Sequence, residues 1–133
     1  MIVLDTHALV WMDSNDASLG HGSRALIEEA WRVGEVVVSA ISFWEIAMLL
    51  QRGRIALPVA TEVWRADILQ AGVVEVAVDG RIGLLAASLQ SFHKDPADRF
   101  IVATALHNRA TLITADRAIL DWASDLKRQD ARK

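Results

Sequence analysis

The 133-residue chain contains no cysteine, which excludes a disulfide framework and any thiolate-held metal site. That fits a reducing compartment, and a cytoplasmic location is expected. Proline is scarce: Pro58 and Pro96 are the whole complement, and both stand where a helical pattern begins, a place that tolerates a missing amide donor. No apolar run reaches the ~20 residues that span a bilayer. The opening "MIVLDTHALVW" also lacks the basic start and long apolar stretch of a signal peptide, so no membrane partner is expected. A basic excess is missing as well. The net charge of −3 argues against bulk electrostatic capture of nucleic acid, and any such contact has to be local. Eleven of the fourteen basic residues are arginine, the better bidentate phosphate ligand, so a small arginine-lined surface stays open.

What is present is aliphatic. Hydrophobic residues make up 53% and charged residues 23%, which suits one domain spanning residues 1–133 with an ordinary buried core. Four short β-rich runs stand out: "IVL" from residue 2, "VVVSA" from 36, "VVEVAV" from 73 and "TLIT" from 111. Three of them lack alternation, as strands covered on both faces do. Segments of helical period separate them, among them "SRALIEEAWR", "SFWEIAMLLQR", "VATEVWRADILQA", "ADRFIVATALHN" and "DRAILDWASDL". Strand then helix, repeated with right-handed crossovers, gives an α/β protein. The expectation is a three-layer αβα sandwich around a parallel sheet of four short strands, or five. Strand C-termini then gather along one edge, where function belongs. The tail from about residue 125 loses apolar pattern and is expected to fray.

Acids fall at that edge. Asp5 follows the first strand immediately, and Asp116 follows the last run after Ala115; each alone reads as a helix cap. In "HKDPADRF", Asp95 before Pro96 has the form of a cap, leaving Asp98 at the third helical position on the line of Ile101, Val102 and Ala105. Glu45 shares a stripe with Ile41, Met48 and Leu49, and pairs with Ser42 as a capping box. That pairing leaves its charge among Phe43, Trp44 and Ile46 unexplained, because desolvation raises a carboxyl pKa unless a cation offsets it. If the sheet is parallel, Asp5, Glu45, Asp98 and Asp116 share one edge. Two carboxylates ~4 Å apart repel by about 4 kcal/mol at an effective dielectric of 20, so a group of four needs protons or a cation. All-oxygen ligation suits Mg²⁺ or Mn²⁺. His7, His21, His93 and His107 read as helix-face residues, with His7 beside Asp5 the one possible ligand. Carboxylate-held Mg²⁺ commonly serves phosphodiester hydrolysis.

These residues resemble the PIN-domain ribonucleases, and among them the VapC-type toxins of bacterial toxin–antitoxin pairs. The resemblance rests on "IVLDTHALVW", "VVVSAISFWEIAMLLQRGRIALP", "HKDPADRFIVATALHN" and "TLITADRAI" and covers Met1 to about Leu120. It implies a Mg²⁺- or Mn²⁺-dependent endoribonuclease acting on RNA, a homodimer, and a cognate antitoxin that blocks the site. It also implies that Asp5, Glu45 and Asp98 are the core metal-binding and catalytic acids, with Asp116 a more variable fourth and Thr6, Ser42 and Thr114 as polar support. The chain departs from the pattern at its end, where "SDLKRQDARK" offers no apolar fifth strand.

A haloacid-dehalogenase phosphatase would need an aspartate where His7 stands, and a receiver domain would need adjacent acids after an early strand. The alternative from another class is a non-catalytic PIN-like module for RNA binding or dimerisation. Arg99 is a candidate phosphate contact, balanced against an arginine that is solvated or paired with Asp95. Of the five tryptophans, most should be core; Trp44 and Trp64 are the two that could instead frame a groove for an antitoxin helix.

Overall fold

The computed structural model describes all 133 residues. In chain order they form β1 (Ile2–Leu4), α1 (Thr6–Asp13), α2 (His21–Arg32), β2 (Val36–Ser39), α3 (Ile41–Gln51) and α4 (Thr61–Gln70). There follow β3 (Val74–Val76), α5 (Gly80–Ser88), α6 (Pro96–His107), β4 (Thr111–Thr114), α7 (Arg117–Leu120) and β5 (Arg128–Asp130). One sheet holds all five strands in the order β3-β2-β1-β4-β5, parallel throughout. No helix is long and apolar enough to cross a membrane.

Alternation along the central strands builds the layers. Ile2, Leu4, Val36, Val38 and Ile113 point to one face and pack against Ala8, Leu9, Ile27, Ile46, Trp64 and Ile68 from α1 to α4. Val3, Val37 and Leu112 point to the other and meet Ile101, Val102 and Ala105 of α6 and Ile119 of α7. Both faces of β1, β2 and β4 are therefore dry, which is why these runs are apolar apart from Ser39, Thr111 and Thr114 at strand ends. Helix α5 lies against α6 through Ile82, Ala86 and Ala103. The three-layer expectation holds.

The end of the chain differs from expectation. Residues 128–130 do not fray but add β5 to the sheet, in register Leu112↔Arg128 and Thr114↔Asp130. An edge strand needs backbone pairing more than apolar side chains, and a short charged one guards the edge against pairing with other chains. Leu126 and Ala131, both buried, anchor its two ends, while Arg128 donates to the Ile119 carbonyl at 2.9 Å. The helical reading of "DRAILDWASDL" is shortened accordingly: only Arg117–Leu120 is helical, because the chain must turn to bring Leu126 under the sheet. The Ser42–Glu45 capping box does not form either. Helix α3 begins at Ile41 without a side-chain cap, and the Ser42 hydroxyl instead accepts a hydrogen bond from Thr6 Oγ1 at 3.0 Å.

The tail also caps α2. Gly20, at the helix start, has no side-chain cap to offer. The orphan amides are met by the tail, Gly20 N–H donating to the Ala131 carbonyl and Gly22 N–H to the Lys133 carbonyl, each at 2.8 Å. A Cβ on Gly20 would overlap the backbone of Arg132 and Lys133. Gly20→Ala should therefore cost about 1–3 kcal/mol through overpacking, read as a lower urea midpoint; an unchanged midpoint would mean that the tail does not seal this helix in solution.

Candidate functional site

From the centre of the sheet the chain winds outward in two directions, β1 to β2 to β3 on one side and β4 to β5 on the other. The strand ends of β1 and β4 thus flank a switch point, where open parallel sheets leave a crevice. Asp5 and Asp116 stand just beyond those two ends. Each caps a helix: Asp5 Oδ1 accepts from Thr6 N–H at 2.8 Å, and Asp116 Oδ1 accepts from the Ala118 and Ile119 amides at 2.8 and 3.2 Å. Thr114 couples the two acids. Its hydroxyl donates to Asp5 Oδ2 at 2.5 Å and accepts from Asp116 N–H at 3.0 Å. Helix α3 brings Glu45 from beyond β2, and the first turn of α6 brings Asp98, whose amide donates to Asp95 Oδ1 at 3.0 Å. The cap-then-proline reading of Asp95 and Pro96 holds.

All four acids singled out in the sequence line one cavity of about 320 Å³, together with Asp95, His7, Trp11, Ala115 and Arg132. Ligand atoms of Glu45, Asp95 and Asp98 all lie within 4.8 Å of one another, and so do those of His93, Asp98 and Asp116. Asp98 belongs to both sets. Asp5 belongs to neither, its two oxygens being held by Thr6 and Thr114, although its charge is felt by Glu45 and Asp98. A larger cavity of about 440 Å³ is lined by Met12, Ile27, Trp31, Ile68 and Ala71 with Asp13, Glu28 and Asp67, but these three acids do not form a set of converging ligand atoms.

Three of these carboxyls, on Asp5, Glu45 and Asp98, resist ionisation. Burial raises Asp5, against the hydrogen bonds from Thr114 and Thr6 that favour its charge. Burial also raises Glu45, with the negative charges of Asp5 and Asp95 adding to the effect. Asp98 is pushed from an ordinary 3.8 up to about 9, first by desolvation and then by Asp5, Asp95, Asp116 and Glu45 around it. Five oxygen-bearing side chains that cannot all be charged without a counter-ion form a donor set that fits a hard divalent cation.

Three residues at this site were passed over in the sequence. Asp95 read only as a cap, yet the same carboxyl faces the cavity; its three-residue spacing from Asp98, one helical turn, was the available signal. His93 read as a helix-face residue, but it precedes α6 and approaches Asp98 Oδ2 to 3.2 Å through Nε2. Arg132 lay in the tail expected to fray; its Nη1 donates to the Ala115 carbonyl at 2.9 Å and its guanidinium covers the Trp11 ring at 5.5 Å. Arg99 is a correction. It is neither solvated, nor paired with Asp95, nor open to phosphate: its guanidinium donates to the carbonyls of His93, Ala86, Leu89 and Phe92 at 2.9–3.4 Å. Trp64 is core, 3% exposed, with its indole N–H on Asp13 at 2.7 Å, so it frames no groove, whereas Trp44 is exposed.

A parallel five-stranded sheet with carboxylates converging at its switch point defines a class of α/β fold with a metal-suited acidic centre. The profile of the PIN domain matches residues 2–124, and the chain belongs to the PIN-domain family. It is 33% identical over 119 residues to Ribonuclease VapC22 of Mycobacterium tuberculosis (strain ATCC 25618 / H37Rv), an alignment covering 89% of this chain and 88% of that one. Its fold is shared by VapBC2 from Rickettsia felis, solved bound to a DNA fragment from its promoter (TM-score 0.71, 14% identity, 97% and 98% of the two chains). It is shared also by a toxin–antitoxin complex from Klebsiella pneumoniae (TM-score 0.64, 20% identity, 98% of each chain).

Two outcomes follow from this geometry. Because Asp98 binds its proton more tightly in the folded chain than in the unfolded one, its contribution to stability is fully present below the ordinary carboxylate range and is lost as the pH rises toward about 9. Thermal unfolding of the metal-free protein should therefore shift downward between about pH 6 and pH 9, and saturating Mn²⁺ should flatten or reverse that slope by replacing the proton. A metal-free midpoint constant across this range would contradict the raised carboxyl. Separately, Arg99→Met should cost at least about 1.5 kcal/mol in urea unfolding, since charge-assisted bonds to part-buried carbonyls are lost; a surface phosphate contact would leave stability unmoved.

Proposed function

We propose that this protein is a metal-dependent endoribonuclease that hydrolyses RNA phosphodiester bonds as the toxin of a toxin–antitoxin pair. The observation that carries the reading is the cavity at the switch point, where Asp5, Glu45, Asp95, Asp98 and Asp116 meet with Asp98 held protonated to about pH 9 in the absence of a cation. A binding surface for RNA gains nothing from such a cluster of acids, which repels phosphate where ionised and offers it no cation where neutral. A nuclease centre needs it to hold Mg²⁺ or Mn²⁺.

Asp5, Glu45, Asp98 and Asp116, with Asp95 beside them, supply the donors for Mg²⁺ or Mn²⁺. When bound, a divalent cation there offsets charge on the scissile phosphate and makes water a better nucleophile at neutral pH. The protein's own part is placement. Thr6 and Thr114 each give one hydrogen bond to an oxygen of Asp5, which orients the carboxyl and leaves each oxygen a lone pair for the ion. The amides of Ala118 and Ile119 hold Asp116 by Oδ1, which leaves Oδ2 for the ion or for an attacking water. Arg132, the cation among the residues lining the cavity, is placed for a phosphate of the RNA backbone, a role that Arg99 cannot take.

The ribonuclease relative and the toxin–antitoxin complexes that share the fold support RNA as the substrate and a cognate antitoxin as the inhibitor. Homodimerisation is part of the same reading: Trp44 on α3 and Leu84 on α5, 54% and 77% exposed, leave apolar surface suited to a second copy. Replacing Asp98 separates catalysis from folding. Asp98→Asn should lower EDTA-sensitive cleavage of RNA on the order of 100-fold or more, while the metal-free variant at about pH 8 should unfold at the same temperature as the parent or higher, because a neutral amide replaces a carboxyl that burial keeps neutral. Near-parental cleavage by the folded variant would overturn the assignment.

A further inference from the structure

Among the buried side-chain nitrogen and oxygen atoms, one has no hydrogen-bond partner. The His93 Nε2 atom is sealed from solvent and makes no hydrogen bond, although it lies 3.2 Å from Asp98 Oδ2. No hydrogen bond joins the nitrogen to that oxygen. The Asp98 oxygen and the His93 nitrogen are instead two donors side by side, with Asp116 completing a set whose ligand atoms all fall within 4.8 Å. Donors about 2.1 Å from one octahedral ion lie about 3.0 Å apart when adjacent and about 4.2 Å apart when opposite. The 3.2 Å between His93 Nε2 and Asp98 Oδ2 is close to that of adjacent donors.

The imidazole is also held in place. Its residue's carbonyl accepts from Arg99 Nε at 3.0 Å, and the same guanidinium ties down the carbonyls of Ala86, Leu89 and Phe92. The neighbouring Phe92 ring is buried, 4.5 Å from the imidazole centroid, and is backed by Trp122 at 4.9 Å. A residue merely capping a loop needs no such scaffold. A metal ligand does, since its orientation sets affinity.

Resting on the metal site of the proposed function, we infer that His93 is a nitrogen ligand of the divalent ion held by Asp98 and Asp116, and that this mixed nitrogen–oxygen set selects Mn²⁺ over Mg²⁺. Mn²⁺, though the weakest-binding of the first-row divalent ions, accepts an imidazole nitrogen more readily than the strictly oxygen-seeking Mg²⁺. The oxygen-only set of Glu45, Asp95 and Asp98 carries no such preference, so the preference resides in one histidine.

The test is spectroscopic and independent of turnover. Electron spin-echo envelope modulation of Mn²⁺ bound to the full-length protein is expected to show directly coordinated ¹⁴N, to keep it in His7→Gln and to lose it in His93→Gln. Calorimetric titration of His93→Gln is expected to show Mn²⁺ affinity lowered by roughly tenfold or more, with Mg²⁺ affinity changed much less. Mn²⁺ bound by the parent protein without ¹⁴N modulation overturns the inference and leaves the carboxylate centre standing; that measurement needs no variant to fold. Loss of the signal in His7→Gln but not in His93→Gln overturns it also. Failure of the parent to bind Mn²⁺ at all overturns the metal centre of the proposed function and this inference with it.

Discussion

Mutual repulsion among buried carboxylates is the constraint around which this molecule is arranged. Asp5 and Asp98 are each less than a tenth exposed, and Glu45, Asp95 and Asp116 are close enough to disfavour charge on Asp98. Sequence brings them from four separate helix starts and strand ends. The fold tolerates them because several lie beside helix N-termini, where unpaired amides and the helix dipole offer positive potential. Three of the acids, Asp5, Asp95 and Asp116, spend an oxygen on capping amides. Capping and cation binding are therefore not rival readings of the same residue. The cap fixes one oxygen and thereby aims the rest of the carboxyl.

Two arginines divide the remaining electrostatic work. Arg99, adjacent in sequence to Asp98, turns away from the acids and binds four backbone carbonyls. It stiffens the segment entering α6 and so fixes where Asp95 and Asp98 begin. Arg132 arrives from the far end of the chain and lines the same cavity as the acids. Sequence proximity to an acid is a poor guide to ion pairing here, because helical geometry sends residues 98 and 99 about 100° apart around the axis.

How much of this was legible in the sequence depended on which force set each element. Strands β1, β2 and β4 are buried on both faces, so their apolar runs mark them plainly, and the acids at their ends follow from parallel topology. Asp98 was legible because its helical line is otherwise apolar. Strand β5 was not, since "RQD" is held by backbone pairing with β4 and by buried residues outside the strand itself, and neither leaves a periodic trace. The helix start at Ile41 was misread for a related reason: Ser42 has the right spacing from Glu45 for a capping box, but its hydroxyl is captured by Thr6 from another element, a tertiary contact that overrides local preference. His93 has no pattern at all. Only the three-dimensional scaffold of Arg99 and Phe92 gives it a direction.

The polar tail connects the sheet edge to the chemistry. Pairing of β5 with β4 continues the sheet by one strand, and Asp130 then accepts from the Arg132 amide at 2.9 Å, turning the chain so that the guanidinium lies over Trp11 at the mouth of the cavity. The same turn sends Ala131 and Lys133 carbonyls to the start of α2. One short segment with little apolar content thus closes the sheet, caps a helix and delivers the cation that faces the acidic cavity. Because these contacts are mostly backbone bonds made at once, they form or fail together. The charge of Arg132 at the site is for that reason tied to the integrity of the sheet edge, and the cavity senses the fold at a strand that contributes no carboxylate to it.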